Sequence, residues 1–165
     1  MKRQPLKIGI TGLFGCGKTS LAFRLAPRYD REIAYLSGDL LLAKNMANVS
    51  EKIDRYVLEH IDLSSFVLRK QIVLDALIFI NIPVSTCIER CYNRLNHTCN
   101  AISEFEIIYR DIYEQFCEAA EMEGVFCREL RTFEMETIWQ DDMYDEVLIA
   151  YLFRDAPWIL DRYKG

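Results

Sequence analysis

The chain of 165 residues carries a formal net charge of −5 at pH 7, and 51% of its residues are hydrophobic. This balance excludes a disordered chain. It also excludes a protein built to grip long nucleic acid, because that function needs a basic face. The longest apolar stretch, residues 72–82, is interrupted by Asp75 and Asn81 and is too short to cross a bilayer. We therefore expect one globular domain over residues 1–165 in the cytoplasm, with no nucleic-acid polymer or membrane as partner.

The N-terminal third predicts two strands separated by a helix. The apolar residues 6–10 predict a strand, and Leu21 and Leu25 then recur at helical spacing until a proline ends the helix. Residues 33–36 predict a second strand, whereas residues 40–71 read as mostly helical. This order is the beginning of an alternating α/β pattern.

The rest of the chain continues the alternation. Residues 74–82 form an almost continuous apolar run, which is typical of a central strand in a parallel sheet. In the helix that follows, Arg90 and Arg94 lie four residues apart on one face. The pattern therefore predicts an α/β fold with a parallel sheet. The remaining predicted elements are a long helix that ends at Gly124, a strand over residues 125–130, a solvated acidic stretch over residues 129–146 and a helix over residues 146–153.

A glycine-rich segment follows the first strand. Residues 12–19 read Gly-Leu-Phe-Gly-Cys-Gly-Lys-Thr and match the phosphate-binding pattern G-x-x-x-x-G-K-[ST] in full. Glycines let successive backbone N–H groups turn towards an anion, and the N-terminus of the following helix adds a favourable dipole. Lys18 is placed to reach the β- and γ-phosphates, and the Thr19 hydroxyl to ligate Mg²⁺. The alternative is a glycine-rich turn without a ligand.

The motif in this strand–helix context predicts a P-loop NTPase fold. We expect three layers, with a five-stranded parallel sheet flanked by helices on both faces, and ATP and Mg²⁺ as cofactors. The predicted cofactor-binding residues are Gly12, Gly15, Cys16, Gly17, Lys18, Thr19 and Ser20.

Three further segments suggest a family. A GTPase is disfavoured because neither a D-x-x-G switch nor an N-K-x-D motif occurs. Residues 74–94, LDALIFINIPVSTCIERCYNR, resemble the segment of deoxynucleoside and thymidylate kinases in which a buried strand leads into the arginine-bearing lid helix. Residues 104–116 are similar to the long helix after the lid, and residues 54–56, Asp-Arg-Tyr, resemble the family's acidic-Arg motif. The chain looks like a short, divergent member of this P-loop kinase family.

The resemblance implies roles for particular residues. Arg90 and Arg94 would be lid arginines that close over the transferring group, although spacing alone is also compatible with a solvated helix face. Asp54 and Arg55 would assist metal or substrate binding. Asp39 follows the second predicted strand at the carboxyl edge of the sheet, so it is a candidate base for the acceptor hydroxyl or, alternatively, a helix N-cap.

The segments that would bind the acceptor depart from this family. The acidic-proline motif of deoxynucleoside kinases and the Arg-Glu-Pro of thymidylate kinases are both absent after the second strand. The expected function is ATP- and Mg²⁺-dependent phosphoryl transfer to a small molecule, a nucleoside or nucleoside monophosphate. A kinase of another metabolite is a second interpretation, because Ser37-Gly38-Asp39 also resembles the acid after that strand in several such enzymes. A nucleotide-binding regulatory protein without kinase activity is a third.

The cysteines and tryptophans leave alternatives open. A zinc site from Cys87, Cys91, His97 and Cys99 is conceivable, but the spacing matches no compact zinc pattern, and we favour buried thiols in a reducing compartment. Trp139 and Trp158 are expected to pack in the core or in a homodimer contact.

Overall fold

A computed structural model describes residues 4–26, 33–38, 53–95 and 102–164, with only the backbone described for residues 93–95 and 102. Within these ranges five strands form one parallel sheet in the order β2-β3-β1-β4-β5. The prediction of a five-stranded parallel sheet flanked by helices is confirmed. The strands are β1 (Leu6–Gly12), β2 (Ala34–Ser37), β3 (Arg55–Glu59), β4 (Ala76–Ile80) and β5 (Phe126–Leu130).

Helices cover both faces of this sheet. On one face, a Cβ atom built on Gly9 would contact Leu63 at 3.1 Å, and the Phe79 ring lies 5.0 Å from the Phe116 ring. On the other face, Tyr35 stacks on Phe23, so the sheet lies between two helical layers. In chain order, the described helices are α1 (Lys18–Leu25), α2 (Leu63–Leu68), α3 (Val84–Leu95), α4 (Ile102–Ala120), α5 (Thr132–Gln140), α6 (Asp145–Leu152) and α7 (Pro157–Lys164).

The core is centred on β1 and β4. All five residues of β4 are buried, as are six of the seven residues of β1, whereas the outer strands β2 and β5 are mostly half-buried. Strands that are covered on both faces need apolar side chains on both faces, which explains the continuous apolar run of β4. The central pair of strands thus provides a rigid base for the loop that follows β1.

Two regions differ from the sequence-based expectation. The segment read as mostly helical, residues 40–71, contains β3 and the short α2. The acidic stretch is not a uniformly solvated face, because α5 lies within it and buries Met135 and Ile138. In both cases tertiary packing decided between strand, helix and loop where the local pattern was weak.

Candidate functional site

The candidate site lies at the carboxyl ends of the central strands. From β1 the chain runs to β2 on one side of the sheet, and from β4 it runs to β5 on the other side. Neighbouring strands whose connections diverge in this way leave a crevice at their carboxyl ends, where α/β proteins bind ligands. The glycine-rich segment begins at Gly12, the last residue of β1, and therefore opens into this crevice.

Glycine is required by the shape of this loop. Gly15 and Gly17 have φ values of 81° and 106°, in the left-handed region that L side chains rarely adopt. A Cβ atom on Gly15 would lie 2.7 Å from the Cys87 carbonyl oxygen and 3.0 Å from the Cys91 sulfur, so the loop rests directly on α3. The backbone conformation is thus fixed both by φ and by close packing beneath it.

Lys18 and the first turn of α1 complete the loop. The Lys18 ammonium donates hydrogen bonds to the carbonyl oxygens of Gly12 and Leu13, each at 3.0 Å. Thr19 and Ser20 follow it in the first turn, are exposed, and have no acidic neighbour in that turn. A helix N-terminus with an ammonium group and exposed hydroxyls attracts anions, and phosphate groups in particular. The predicted cofactor-binding residues are therefore gathered on one loop and helix start.

Arg90 reaches the same loop from α3. Its Nη1 atom donates to the carbonyl oxygens of Gly15 and Cys16 at 3.3 and 3.5 Å, and the side chain is otherwise exposed. A second cation, the Arg90 guanidinium, is thus placed beside the glycine loop, where the family resemblance predicts a lid arginine. The Arg94 side chain lies outside the described residues, and the catalytic role of both arginines stays a prediction.

The thiols near the loop are buried. Cys16, Cys87 and Cys91 are inaccessible or nearly so, and burial raises the pKa of the Cys16 thiol and that of Cys87, the latter to about 12. Buried thiols of this kind act as small hydrophobic side chains. No group of three or more metal-ligating side chains suited to a metal ion is found in residues 4–26, 33–38, 53–95 and 102–164. His97 and Cys99 fall outside these ranges.

Glu59 is a carboxylate that the sequence analysis did not identify. It ends β3 and pairs in register with Ile10 of β1 and Ser37 of β2, so it lies at the same edge of the sheet as the glycine loop. Its Oε1 atom accepts a hydrogen bond from the Tyr35 hydroxyl at 3.1 Å. The short apolar run before it, residues 56–58, was the available signal for a strand that ends in a carboxylate.

Asp39 lies outside the described residues, but the residue before it is placed. A Cβ atom on Gly38 would approach the Cβ of His60 to 2.5 Å, so the backbone after β2 packs tightly against the residue after Glu59. Ser37 and Gly38 therefore lie beside the end of β3, at the carboxyl edge of the sheet. The role of Asp39 as the base stays a prediction.

Asp54 and Arg55 are placed at the opposite end of the sheet. Arg55 begins β3, pairs in register with Leu6 at the start of β1, and is 6% exposed. Its guanidinium donates to the carbonyl oxygens of Gln4, Arg162 and Tyr163 at 2.7, 2.9 and 3.3 Å. The structure therefore does not bring Asp54 and Arg55 together with the glycine loop, which lies at the other end of β1, and their role in substrate or metal binding stays a prediction. Arg55 instead joins the sheet to the C-terminal end of α7.

A polar network closes the crevice on the β4–β5 side. Asn81, which follows β4, donates to the Glu129 carboxylate and accepts a hydrogen bond from the Tyr109 hydroxyl at 2.8 Å. The Arg131 guanidinium donates to the same carboxylate at 3.2 Å, and this hydrogen bond raises the pKa of Arg131. The carboxyl ends of β4 and β5 are thereby joined to the middle of α4.

Comparison with known proteins supports the fold. No family model matches the chain, and no curated protein matches it in sequence. A gluconokinase from Sinorhizobium meliloti matches with a TM-score of 0.56 and 17% identity over 99% of this chain and 98% of that one. Shikimate kinase from Acinetobacter baumannii, solved in complex with shikimate, matches with a TM-score of 0.52 and 14% identity over 84% of this chain and 90% of that one.

Among the residues with described positions, none of the helices is long and apolar enough to span a bilayer.

At identities of 14–17% the likeness to solved structures establishes the fold and not the substrate. The chain has the three-layer α/β P-loop fold that these two kinases display.

Proposed function

We propose that the protein binds ATP with Mg²⁺ and transfers the γ-phosphoryl group to a hydroxyl of a small molecule. The observation that carries this proposal is the placement of the glycine loop, Lys18 and the start of α1 at the divergence of β1 and β4. Phosphoryl transfer depends mainly on positioning and on neutralising charge, so a rigid loop with one ammonium group is its principal requirement.

Two oxygen groups near the loop fit a magnesium ion. Mg²⁺ prefers oxygen ligands, usually one or two from the protein together with phosphate oxygens and water. The exposed Thr19 hydroxyl begins α1, and the Glu59 carboxylate ends the neighbouring strand. These residues would hold the ion, directly or through water, and when bound it would neutralise the phosphate oxygens.

The other groups have separate tasks in the transfer. The loop N–H groups and Lys18 hold the β- and γ-phosphates, and Arg90 balances the negative charge of the transferring group. The acceptor oxygen forms a bond to the γ-phosphorus while the bond to the bridging oxygen of the departing ADP breaks. The acceptor proton passes to a carboxylate, for which we propose Asp39.

Two acceptor classes have support. The resemblance of residues 74–94 to deoxynucleoside and thymidylate kinases favours a nucleoside or nucleoside monophosphate. The likeness to a gluconokinase and to shikimate kinase favours a hydroxylated acid instead. Phe14, 48% exposed on the loop, lies edge-on to Phe105 at 6.5 Å, and this pair offers an apolar face to a ring of the acceptor.

The test has two stages. Calorimetric titration with ATP in the presence of Mg²⁺ is expected to show binding, and absence of heat with folded protein would overturn the proposal. ADP release is then measured against nucleosides, nucleoside monophosphates, gluconate and shikimate. Stimulation by one class identifies the acceptor. ATP binding without stimulation by any compound would instead support a regulatory nucleotide-binding protein.

A further inference from the structure

Tyr35 is attached to the candidate site through its hydroxyl. Tyr35 and Ser37 point to the same face of β2, and Ser37 pairs in register with Glu59 of β3. The Tyr35 hydroxyl therefore reaches along this face and donates to Oε1 of Glu59 at 3.1 Å. A hydrogen bond to a carboxylate is stronger than one between neutral groups, and it fixes the rotation of the carboxylate plane.

The Tyr35 ring is itself held by α1. The Phe23 ring stacks on it with a centroid separation of 4.7 Å and an interplanar angle of 29°. Phe23 is 56% exposed, so its ring is not a core residue that burial alone would explain. The same helix begins with Lys18 and Thr19, which follow the glycine loop. One helix thus carries the phosphate-binding residues at its start and, about one turn later, the ring that fixes Tyr35.

We propose that Tyr35 is a positioning residue for magnesium-dependent ATP binding, acting through Glu59 and held in place by Phe23. This inference rests on the function proposed above. Tyr35 donates to Oε1 of Glu59, so this bond directs the other oxygen, Oε2, which would bind the metal ion or its water when the ion is present. Because Phe23 belongs to α1, the carboxylate is aligned with the helix that holds Thr19.

The test compares ATP affinity with Mg²⁺ to ATP affinity in EDTA, measured by calorimetry without any acceptor. The ratio of these two affinities isolates the metal-dependent part of binding. Tyr35→Phe is expected to lower this ratio about 3- to 10-fold, the range of one hydrogen bond, and to leave the affinity in EDTA within about twofold. Phe23→Leu is expected to lower the ratio about two- to threefold, because the ring contact positions Tyr35 only indirectly.

Two further variants separate positioning from a structural effect. Tyr56→Phe is the matched control, because its hydroxyl also makes one hydrogen bond, to the Val73 carbonyl oxygen at 3.2 Å, but does not contact Glu59. Its ratio is expected to equal that of the unmodified protein. Glu59→Gln is expected to lower the ratio, and adding Tyr35→Phe to it should cause no further loss, since the two residues act as one unit.

The outcomes are distinguishable. If the unmodified protein binds no ATP in either condition, the proposed function fails, and this inference fails with it. If ATP binds more tightly with Mg²⁺ but Tyr35→Phe behaves as Tyr56→Phe does, the positioning role alone is overturned. An equal loss of affinity with Mg²⁺ and in EDTA, or a lower melting temperature that accounts for the loss, also overturns it.

Discussion

The two ends of the parallel sheet both use arginine, but for different purposes. At the amino end, Arg55 is buried and its Nη1 and Nη2 atoms donate to the chain's own carbonyl oxygens, and Arg162 contacts the Asp75 carboxylate at 2.6 Å. At the carboxyl end, Arg90 is exposed and makes two longer hydrogen bonds, of 3.3 and 3.5 Å, to the glycine loop. The arginines of the amino end join the sheet to α7, whereas Arg90 at the carboxyl end is exposed beside the glycine loop.

This difference shows why a short sequence match does not locate a site. The tripeptide Asp-Arg-Tyr occurs at residues 54–56 and again at residues 161–163. In the structure the two copies touch, because the Arg55 guanidinium donates to the carbonyl oxygens of Arg162 and Tyr163. The motif that resembled a substrate-binding element therefore lies in a structural joint. If the two ends are independent, a substitution at one end should leave the properties of the other end unchanged.

The largest effect is expected for Lys18→Ala. Its ammonium lies on the loop carbonyls and is the group proposed to hold the phosphates. Phosphoryl transfer should fall about 10²–10³-fold, comparable to the loss of one preorganised donor in other active sites. The free energy of unfolding should change by no more than about 1 kcal/mol.

A steady-state assay and a urea denaturation curve measure the two quantities. Lys164→Ala is the matched control, since it removes the same charge at an exposed position in the last turn of α7. It should alter neither quantity. Unchanged turnover in Lys18→Ala, or an unfolded variant, would contradict the role given to the loop.

Arg55→Met should have the opposite effects: it should lower the free energy of unfolding and leave ATP binding nearly unchanged. The variant leaves three carbonyl oxygens at the amino end without their charged donor, so we expect a loss of about 3 kcal/mol in the free energy of unfolding. Affinity for ATP should stay within about twofold. Arg69→Met is the control, because Arg69 is exposed, donates to the nearby Ser65 carbonyl oxygen and lies 5.5 Å from the Phe66 ring centroid, all within α2 and its C-cap. Weaker ATP binding in a stably folded Arg55→Met protein would show that the amino end of the sheet affects ligand binding, which contradicts the independence of the two ends.

Gly15→Ala tests how closely the glycine loop packs on α3. Gly15 and Gly124 have φ values of 81° and 84°, so alanine at either position meets the same backbone strain. Only at Gly15 would the new Cβ approach a backbone atom, the Cys87 carbonyl oxygen at 2.7 Å, whereas Gly124 has open space around it. Thermal denaturation should therefore show that Gly15→Ala costs about 2 kcal/mol more than Gly124→Ala. Equal losses would mean that the loop does not rest tightly on α3.

The parts of the molecule that sequence predicted well are those with a contiguous signal. The glycine loop is recognisable because its residues are adjacent in the chain, and β4 because its apolar run is long enough to exclude an edge strand. Arg90 was placed near the loop only through resemblance, since its spacing to Arg94 is equally typical of a solvated helix face.

The parts that sequence missed depend on contacts far apart in the chain. Strand β3 has an apolar run of only three residues, and the buried charge at its start is compensated by carbonyls 107 and 108 residues away. Without that compensation a buried arginine is improbable, so the segment reads as helix or loop. Glu59 was lost with the strand. Likewise, Met135 and Ile138 of α5 are separated by the polar residues Glu136 and Thr137, and only their packing reveals a buried face.

The smallest effect is expected at the far end of α1. The Arg24 guanidinium lies 4.2 Å from the ring centroids of both Trp139 and Tyr144, and it donates to the Met143 carbonyl oxygen at 3.1 Å. Lysine keeps the charge but not the planar stack, so Arg24→Lys should cost about 1 kcal/mol and shift the fluorescence of Trp139. Trp158, edge-on to Phe126 and 52% exposed, contributes a background that does not change.

The same variant tests whether the contacts at the C-terminal end of α1 affect ATP binding at the glycine loop. Arg154→Lys is the matched control, because Arg154 is exposed and its contact with Asp155, at 3.8 Å, is loose. If the clamp around Arg24 serves stability alone, ATP affinity is the same in both variants. If ATP affinity falls in Arg24→Lys and not in Arg154→Lys, α1 behaves as a rigid helix whose C-terminal contacts determine the position of Lys18. Arg24 at the end of α1 would then contribute to ligand binding as well as to stability, through its effect on Lys18 at the start of the same helix.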